Sequence, residues 1–194
     1  MKRLVPEDKD YDYYLHWQKV KTLKPALREQ LLREFDKKIN LFTALFLNAK
    51  KYAPKGKVIC LGARMGEEVQ AFKDLGYDAI GIDLVPNEPL VIHGDFNNLQ
   101  YANDSVDIVY TNAIDHCWDM EKFTNEMKRV LKPGGLIVLH LCVGRSKEFE
   151  AYHIDSAEEV IEFFKDMELL ESNDKFGINL YFSGLNHEVI LRKK

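Results

Sequence analysis

The chain has 194 residues, 46% of them hydrophobic, and 27 Lys+Arg against 31 Asp+Glu give a formal charge of −4. That length predicts one domain, the apolar content excludes intrinsic disorder, and the acidic balance speaks against an extended nucleic-acid footprint, because a phosphate backbone rewards net positive surface. Three scattered cysteines, Cys60, Cys117 and Cys142, match neither a disulfide framework nor a CxxC metal pair.

Residues 1–53 read as a helical extension. Lys2 and Arg3 are followed by Pro6-Glu7-Asp8-Lys9-Asp10 rather than the apolar core of a signal peptide. No apolar run approaches the roughly 20 residues that span a bilayer. A cytoplasmic protein without a membrane partner is expected. Tyr11, Tyr13, Tyr14 and Trp17 form an aromatic cluster. From Pro25, suited to a first helical turn, Leu27, Leu31, Leu32, Phe35 and Ile39 recur at helical spacing. Residues 41–47 continue as an apolar segment between pairs of lysines. A helix packed on the domain is the expectation, with a membrane-surface helix as the alternative. Pro54-Lys55-Gly56 then punctuates the chain.

From Lys57 short strands and helices alternate, which predicts βαβ units and a parallel sheet. Strands are expected at residues 58–61, 79–82, 90–92, 106–110 and 136–141. The first intervening helix covers 67–75, with Gly76 as its C-terminal cap. A helix capped by Asp119 runs to Leu131, where Lys132-Pro133-Gly134-Gly135 turns the chain into the fifth strand. Ser156 and Glu159 read as a capping box. Strands at 169–170, 179–182 and 188–191 follow, the last two as a hairpin across Ser183-Gly184-Leu185-Asn186.

In an open parallel sheet, ligands bind beyond the carboxyl ends of the strands. The first strand runs into Gly62-Ala63-Arg64-Met65-Gly66, either a plain turn or a ligand loop. Asp83 ends the second strand about 20 positions beyond that loop, where a carboxylate accepts from both ribose hydroxyls of a nucleoside. A dinucleotide fingerprint would need glycines where Arg64 and Glu67 stand. Glu67 and Glu68 in the first helical turn suit the helix dipole but repel a pyrophosphate. S-adenosylmethionine, a phosphate-free sulfonium, fits where NAD does not.

VICLGARMGEEV, IGIDL, HGDF and RVLKPGG, in that order and spacing, resemble the successive motifs of class I S-adenosylmethionine-dependent methyltransferases of the type 11 kind, over residues 57–141. The resemblance implies an α/β Rossmann-like doubly wound sheet of seven strands in order 3-2-1-4-5-7-6. The seventh strand is antiparallel, and residues 1–53 form a lid over a core of 54–194. By the same resemblance Gly62, Ala63, Arg64 and Gly66 wrap the methionine part of the cofactor, Asp83 holds the ribose, and Leu84 lies on the adenine. Asp95 accepts from the adenine amino group with Phe96 beside the ring, and Asn112 and Ala113 line the sulfonium end. The sequence departs from the family twice: Cys60 stands where Asp or Glu is usual, and Arg64 where a glycine is usual. Arg64 is a candidate partner for the methionine carboxylate.

Asp115 and His116 follow the fourth strand, where a methyl acceptor would meet the sulfonium. Either is a candidate proton acceptor, histidine because it titrates near neutrality; the other reading is that both only shape the loop. Asn112 does not begin an Asn-Pro-Pro motif, and Cys117 reads as a packed thiol. His140, His153 and His187 show no metal-ligand spacing, so no metal is expected. Residues 144–155, with Arg145, Lys147, Tyr152 and His153, are left to close the pocket together with the N-terminal aromatics. The expected activity is methyl transfer to an oxygen or nitrogen of a small-molecule acceptor. A non-catalytic cofactor-binding relative is the alternative, and an NAD-type oxidoreductase a more distant one.

Overall fold

The computed structural model describes residues 1–53, 55–146, 149–174 and 184–194. Strand β1 (Lys2–Arg3) precedes helices α1 (Tyr11–Leu23) and α2 (Pro25–Ala49). Then come β2 (Lys57–Leu61), α3 (Glu67–Asp74), β3 (Asp78–Asp83), β4 (Val91–His93) and β5 (Val106–Thr111). After a 3-10 turn at Ile114–His116 follow α4 (Met120–Val130), β6 (Leu131–Leu141), β7 (Tyr152–His153), α5 (Ala157–Ile161), β8 (Glu168–Asn173) and β9 (His187–Arg192).

Seven strands form one sheet in the order β4-β3-β2-β5-β6-β9-β8, and β1 pairs with β7 apart from it. Counted within the large sheet this is 3-2-1-4-5-7-6, with β9 antiparallel to both β6 and β8. Side chains alternate between the two faces of a strand. Val58, Cys60, Ile108, Tyr110 and Val138 therefore join one core with α2 and α3. Ile59, Leu61, Val109, Ile137 and Leu139 join the other with α4 and α5. Burial on both faces is why these strands read as continuous apolar runs.

Several local expectations need correction. The fifth strand starts at Leu131, so Lys132-Pro133-Gly134-Gly135 lies inside β6, whose register against β5 shifts between Val106 and Ile108. The capping box forms only in half: Ser156 makes no side-chain cap, while the Glu159 carboxylate meets the backbone N–H groups of Ser156 and Asp155 and the N-terminal ammonium. The strand expected at 179–182 lies outside the described residues. The partners of β9 are β6 and β8, both antiparallel to it.

The long helix also divides differently from its sequence pattern. In its C-terminal half Phe42, Leu45, Phe46 and Ala49 are buried, and the Phe46 ring stacks on Phe72 of α3 at 3.8 Å. In its N-terminal half only Leu31 of the apolar stripe is buried, and Leu32 is 57% exposed. Among the described residues, no helix is long and apolar enough to cross a membrane.

Candidate active site

The site is built where β2, β3 and β5 end. After Leu61 the chain turns through three left-handed residues, Gly62 (φ 75°), Arg64 (φ 48°) and Gly66 (φ 89°). A Cβ at Gly66 would stand 2.8 Å from that of Leu90, so this glycine serves the packing of α3 against the approach to β4. A Cβ at Gly62 would meet that of Ala113 at 2.7 Å, because the loops after β2 and β5 touch there. Thr111 ties the same two loops together: its hydroxyl donates to the Leu61 carbonyl at 2.9 Å and accepts from the Ala113 N–H at 3.0 Å. Arg64 pays about 1 kcal/mol or more for its left-handed backbone.

Asp83 organises the end of β3. Its Oδ2 accepts from the Arg64 N–H and its Oδ1 from the Val85 N–H, each at 2.9 Å. Each oxygen retains a further lone pair. Beside it lies a cavity of about 40 Å³ bordered by Leu84, Phe96 and Ala113, across which α1 lays Tyr14, Gln18 and Lys21. Phe96 is braced by Phe123 at 4.5 Å between ring centres. Asp95 faces α1: the Tyr11 hydroxyl donates to its Oδ2, while the backbone and side-chain N–H groups of Asn97 donate to Oδ1 at 2.8 and 3.1 Å.

A larger cavity of about 410 Å³ adjoins this one. Gly62, Ala63, Asn112 and Ala113 border it from the sheet, and Leu27, Leu31 and Phe42 of α2 from above. One end carries Arg64, Glu67 and Glu68. Glu67 is paired with Lys38 at 3.4 Å, and Lys38 also meets Glu34 at 3.6 Å. Burial and the neighbouring Glu67 push Glu68 up to about 8.

Lys21, Asp115, His116 and Glu150 also line the larger cavity, and Lys21 and His116 border the smaller one too, together with Arg64 and Asp83. The Nδ1 of His116 lies 2.8 Å from the Phe149 carbonyl. A carbonyl can only accept, so Nδ1 bears the hydrogen and Nε2 keeps its lone pair. Lys21 Nζ stands 3.2 Å from that Nε2. Burial first, and then the charge of Arg64, pull Lys21 down to about 7, against the opposing pull of Asp115, Glu150 and Asp83. The Ala151 N–H donates to the Asp115 carbonyl at 2.7 Å, which docks the 149–153 segment on the 3-10 turn.

The fold thus gathers Gly62, Ala63, Arg64, Asp83, Leu84, Phe96, Asn112, Ala113, Asp115 and His116 around two joined cavities. Gly66 and Asp95 stand just outside their walls. Of the 144–155 segment, Glu150 borders the larger cavity, while Tyr152 packs with Val5, Tyr14 and Trp118 in a separate cluster. Arg3 lies over the Trp118 ring at 4.3 Å. The sequence offered no metal-ligand spacing, yet Asp115, His116 and Glu150 place ligand-type atoms within 4.8 Å of one another. Lys21, a cation beside His116, opposes a second cation there. Sequence reasoning missed Lys21, Lys38 and Glu150; the signal for Lys21 was the i, i+3, i+7, i+10 spacing of Tyr11, Tyr14, Gln18 and Lys21 on one helical face.

Residues 59–139 match a family model described as a methyltransferase domain. An uncharacterized methyltransferase of Mycobacterium leprae is 32% identical over 109 residues, 49% of this chain and 40% of the relative. Malonyl-[acyl-carrier protein] O-methyltransferase 1 of Coxiella burnetii is 32% identical over 117 residues, 55% of this chain and 41% of the relative. The chain therefore spans about 40% of the length of the curated relatives it matches. Among solved structures, Burkholderia thailandensis 1,6-didemethyltoxoflavin-N1-methyltransferase, with 1,6-didemethyltoxoflavin and S-adenosylhomocysteine bound, superposes with a TM-score of 0.74. It is 13% identical and the match covers 99% of this chain and 94% of that one. A chain from the Haloferax volcanii complex between the Trm112 methyltransferase activator and a methyltransferase gives 0.66 at 17% identity, covering 97% of this chain and 99% of that one.

Proposed function

We propose that this chain, whose residues 59–139 match a methyltransferase-domain model, is a class I S-adenosylmethionine-dependent methyltransferase that binds its cofactor across the two joined cavities and transfers the methyl group to an oxygen or nitrogen of a small-molecule acceptor. The observation that carries this reading is the polar lining of the site. Asp83, a ribose-type carboxylate, borders the smaller cavity, and His116, whose Nε2 faces Lys21, borders both cavities.

The donor set fits this cofactor. Asp83 has a lone pair on each oxygen for the ribose hydroxyls, and Leu84 and Phe96 offer apolar faces to a purine. Arg64 and the acidic pair Glu67 and Glu68 offer both signs of charge to a zwitterionic amino-acid end. The Glu67 carboxylate at the start of α3 opposes the pyrophosphate of NAD. When bound, S-adenosylmethionine supplies an electrophilic methyl group. This chain's own work is then alignment and exclusion of water, which supply much of the acceleration in a displacement of this kind. Residues 1–53 act as the lid, with Leu27, Leu31 and Phe42 roofing the acceptor space. His116 takes the acceptor's proton on Nε2, held in that tautomer by the Phe149 carbonyl. Asp115 carries the negative charge that favours the imidazolium so formed. The cavity of about 410 Å³ falls within the range of small-molecule sites, and the Burkholderia relative was solved with a small acceptor bound. The buried cysteines, none of them in a disulfide, suit a reducing compartment such as the cytoplasm.

A second reading, cofactor binding without transfer, is favoured by one feature: the left-handed Arg64 in a position where the family uses glycine. Titration with S-adenosylhomocysteine and with NAD tests the binding step. S-adenosylhomocysteine should bind, and Asp83→Ala should weaken it at least about tenfold, since hydrogen bonds to a charged group contribute about 1.5–3 kcal/mol. An unchanged dissociation constant in that variant removes the ribose assignment. Labelled cofactor that binds but leaves every acceptor in a cell extract unlabelled favours the second reading.

A further inference from the structure

The family resemblance leaves one charge unaccounted for: the carboxylate usual at position 60 is here Cys60. Cys60 is fully buried in β2, and burial together with nearby Glu68 pushes its thiol up, so it carries no charge at neutral pH. The amino-acid end of S-adenosylmethionine nonetheless brings an ammonium group into the larger cavity, and an unpaired cation there costs several kcal/mol.

Five carboxylates border that cavity; Asp115 and Glu150 lie beside Lys21 and His116, and the other three toward Arg64 and Lys38. Glu34 and Glu67 are both engaged by Lys38, at 3.6 and 3.4 Å. Glu68 is 4% exposed and borders the cavity, and among the described residues it has no ion pair. It sits in the first turn of α3, and its charge is felt by Cys60 and by the Tyr110 hydroxyl, the neighbours on β2 and β5. Arg64 and Lys38 act on it only through space and are outweighed by burial and by Glu67, so a cation arriving in direct contact would favour its ionised form.

We propose that Glu68 is the residue that binds the ammonium group of the cofactor's amino-acid end, supplying from the start of α3 the charge that Cys60 does not supply from β2. Arg64, on the same cavity wall, then faces the carboxylate of that end, so the zwitterion meets one charge of each sign. This rests on the cofactor assignment above and makes it specific to two residues, Glu68 and Arg64, of which Arg64 itself stands where the family pattern changes.

The test is calorimetric titration of the full chain with two ligands: S-adenosylhomocysteine, and 5′-methylthioadenosine, which keeps the nucleoside and thioether but lacks the amino-acid end. Glu68→Gln, nearly isosteric, should weaken S-adenosylhomocysteine at least about tenfold and change 5′-methylthioadenosine by less than about twofold. The second ligand also reports that the variant is folded. Wild-type protein that binds neither ligand overturns the cofactor assignment itself. Wild-type protein that binds both, with S-adenosylhomocysteine undiminished in Glu68→Gln, overturns the role of Glu68 alone. An equal loss of both ligands overturns it too, because the effect would not belong to the amino-acid end.

Discussion

The sheet region from Lys57 to Leu141 and the N-terminal helices border the same cavities, yet they are built on different terms. In the sheet region a site residue is fixed by its distance along the chain from a strand end: Asp83 and Asn112 each follow a strand whose register is locked by parallel ladders. In the helices a site residue is fixed by tertiary docking. Lys21 reaches His116 across 95 positions of sequence, and Glu150 arrives from a segment beyond β6. On the function proposed above, the sheet region would hold the parts of the site that a cofactor needs, and the helices those that would close over an acceptor.

The largest expected effect sharpens this contrast. If the sheet region binds and the acceptor side transfers, His116→Ala should lower methyl transfer by about 10²–10⁴-fold, the usual range for a positioned proton acceptor. Its S-adenosylhomocysteine affinity should stay within about twofold of wild type. Single-turnover transfer to an identified acceptor, measured beside calorimetry, separates the two. Full turnover by the variant would leave alignment alone as the source of catalysis.

The second expectation breaks the contrast within one helix. The two halves of α2 belong to different regions: Phe46 is fully buried against Phe72 and Tyr110, whereas Leu32 is exposed. Phe46→Ala should destabilise the fold by about 3–5 kcal/mol through lost transfer energy and a residual cavity. Leu32→Ala should stay within about 0.5 kcal/mol. Denaturant titration of both variants checks this, and equal effects would mean that the N-terminal half is packed as tightly as the C-terminal half.

What the sequence disclosed follows the same division. The seven-strand order was legible only through the family resemblance, and the Asp119 cap, whose Oδ1 accepts from the Lys122 N–H at 3.0 Å, through local turn chemistry. The loop-facing positions of Asp83 and His116 were legible from local spacing. Helix α1 was seen only as a run of aromatics. The face it turns inward is Tyr14, Gln18 and Lys21, a mixed surface with no apolar stripe to announce it. Pairing of Lys2–Arg3 with Tyr152–His153 had no signal at all, since two-residue strands carry no periodicity. Glu68 was read as a helix-dipole residue, and only burial exposed its second capacity.

Lys21 gives the last expectation, because its charge state reports how tightly the helices cover the sheet. Its folded value, about 7, lies below its ordinary 10.5. Below pH 7 both the folded and unfolded chains are protonated at this residue, and the full cost of a buried ammonium weighs on the fold. As pH rises from 7 towards 10.5 the folded chain sheds that proton while the unfolded chain keeps it, so the unfolded state binds more protons and stability rises with pH. Lys21→Met removes the cost at every pH. It should therefore be more stable than wild type at pH 7, by an amount that shrinks by about 1 kcal/mol for each pH unit between 8 and 10. Urea titrations of the two proteins across that window measure the difference directly, and the comparison cancels tyrosines that titrate in both. A constant difference would mean that Lys21 keeps its ordinary affinity for a proton. That would put α1 looser on the site, with water between Lys21 and the Asp83 end of the cavity.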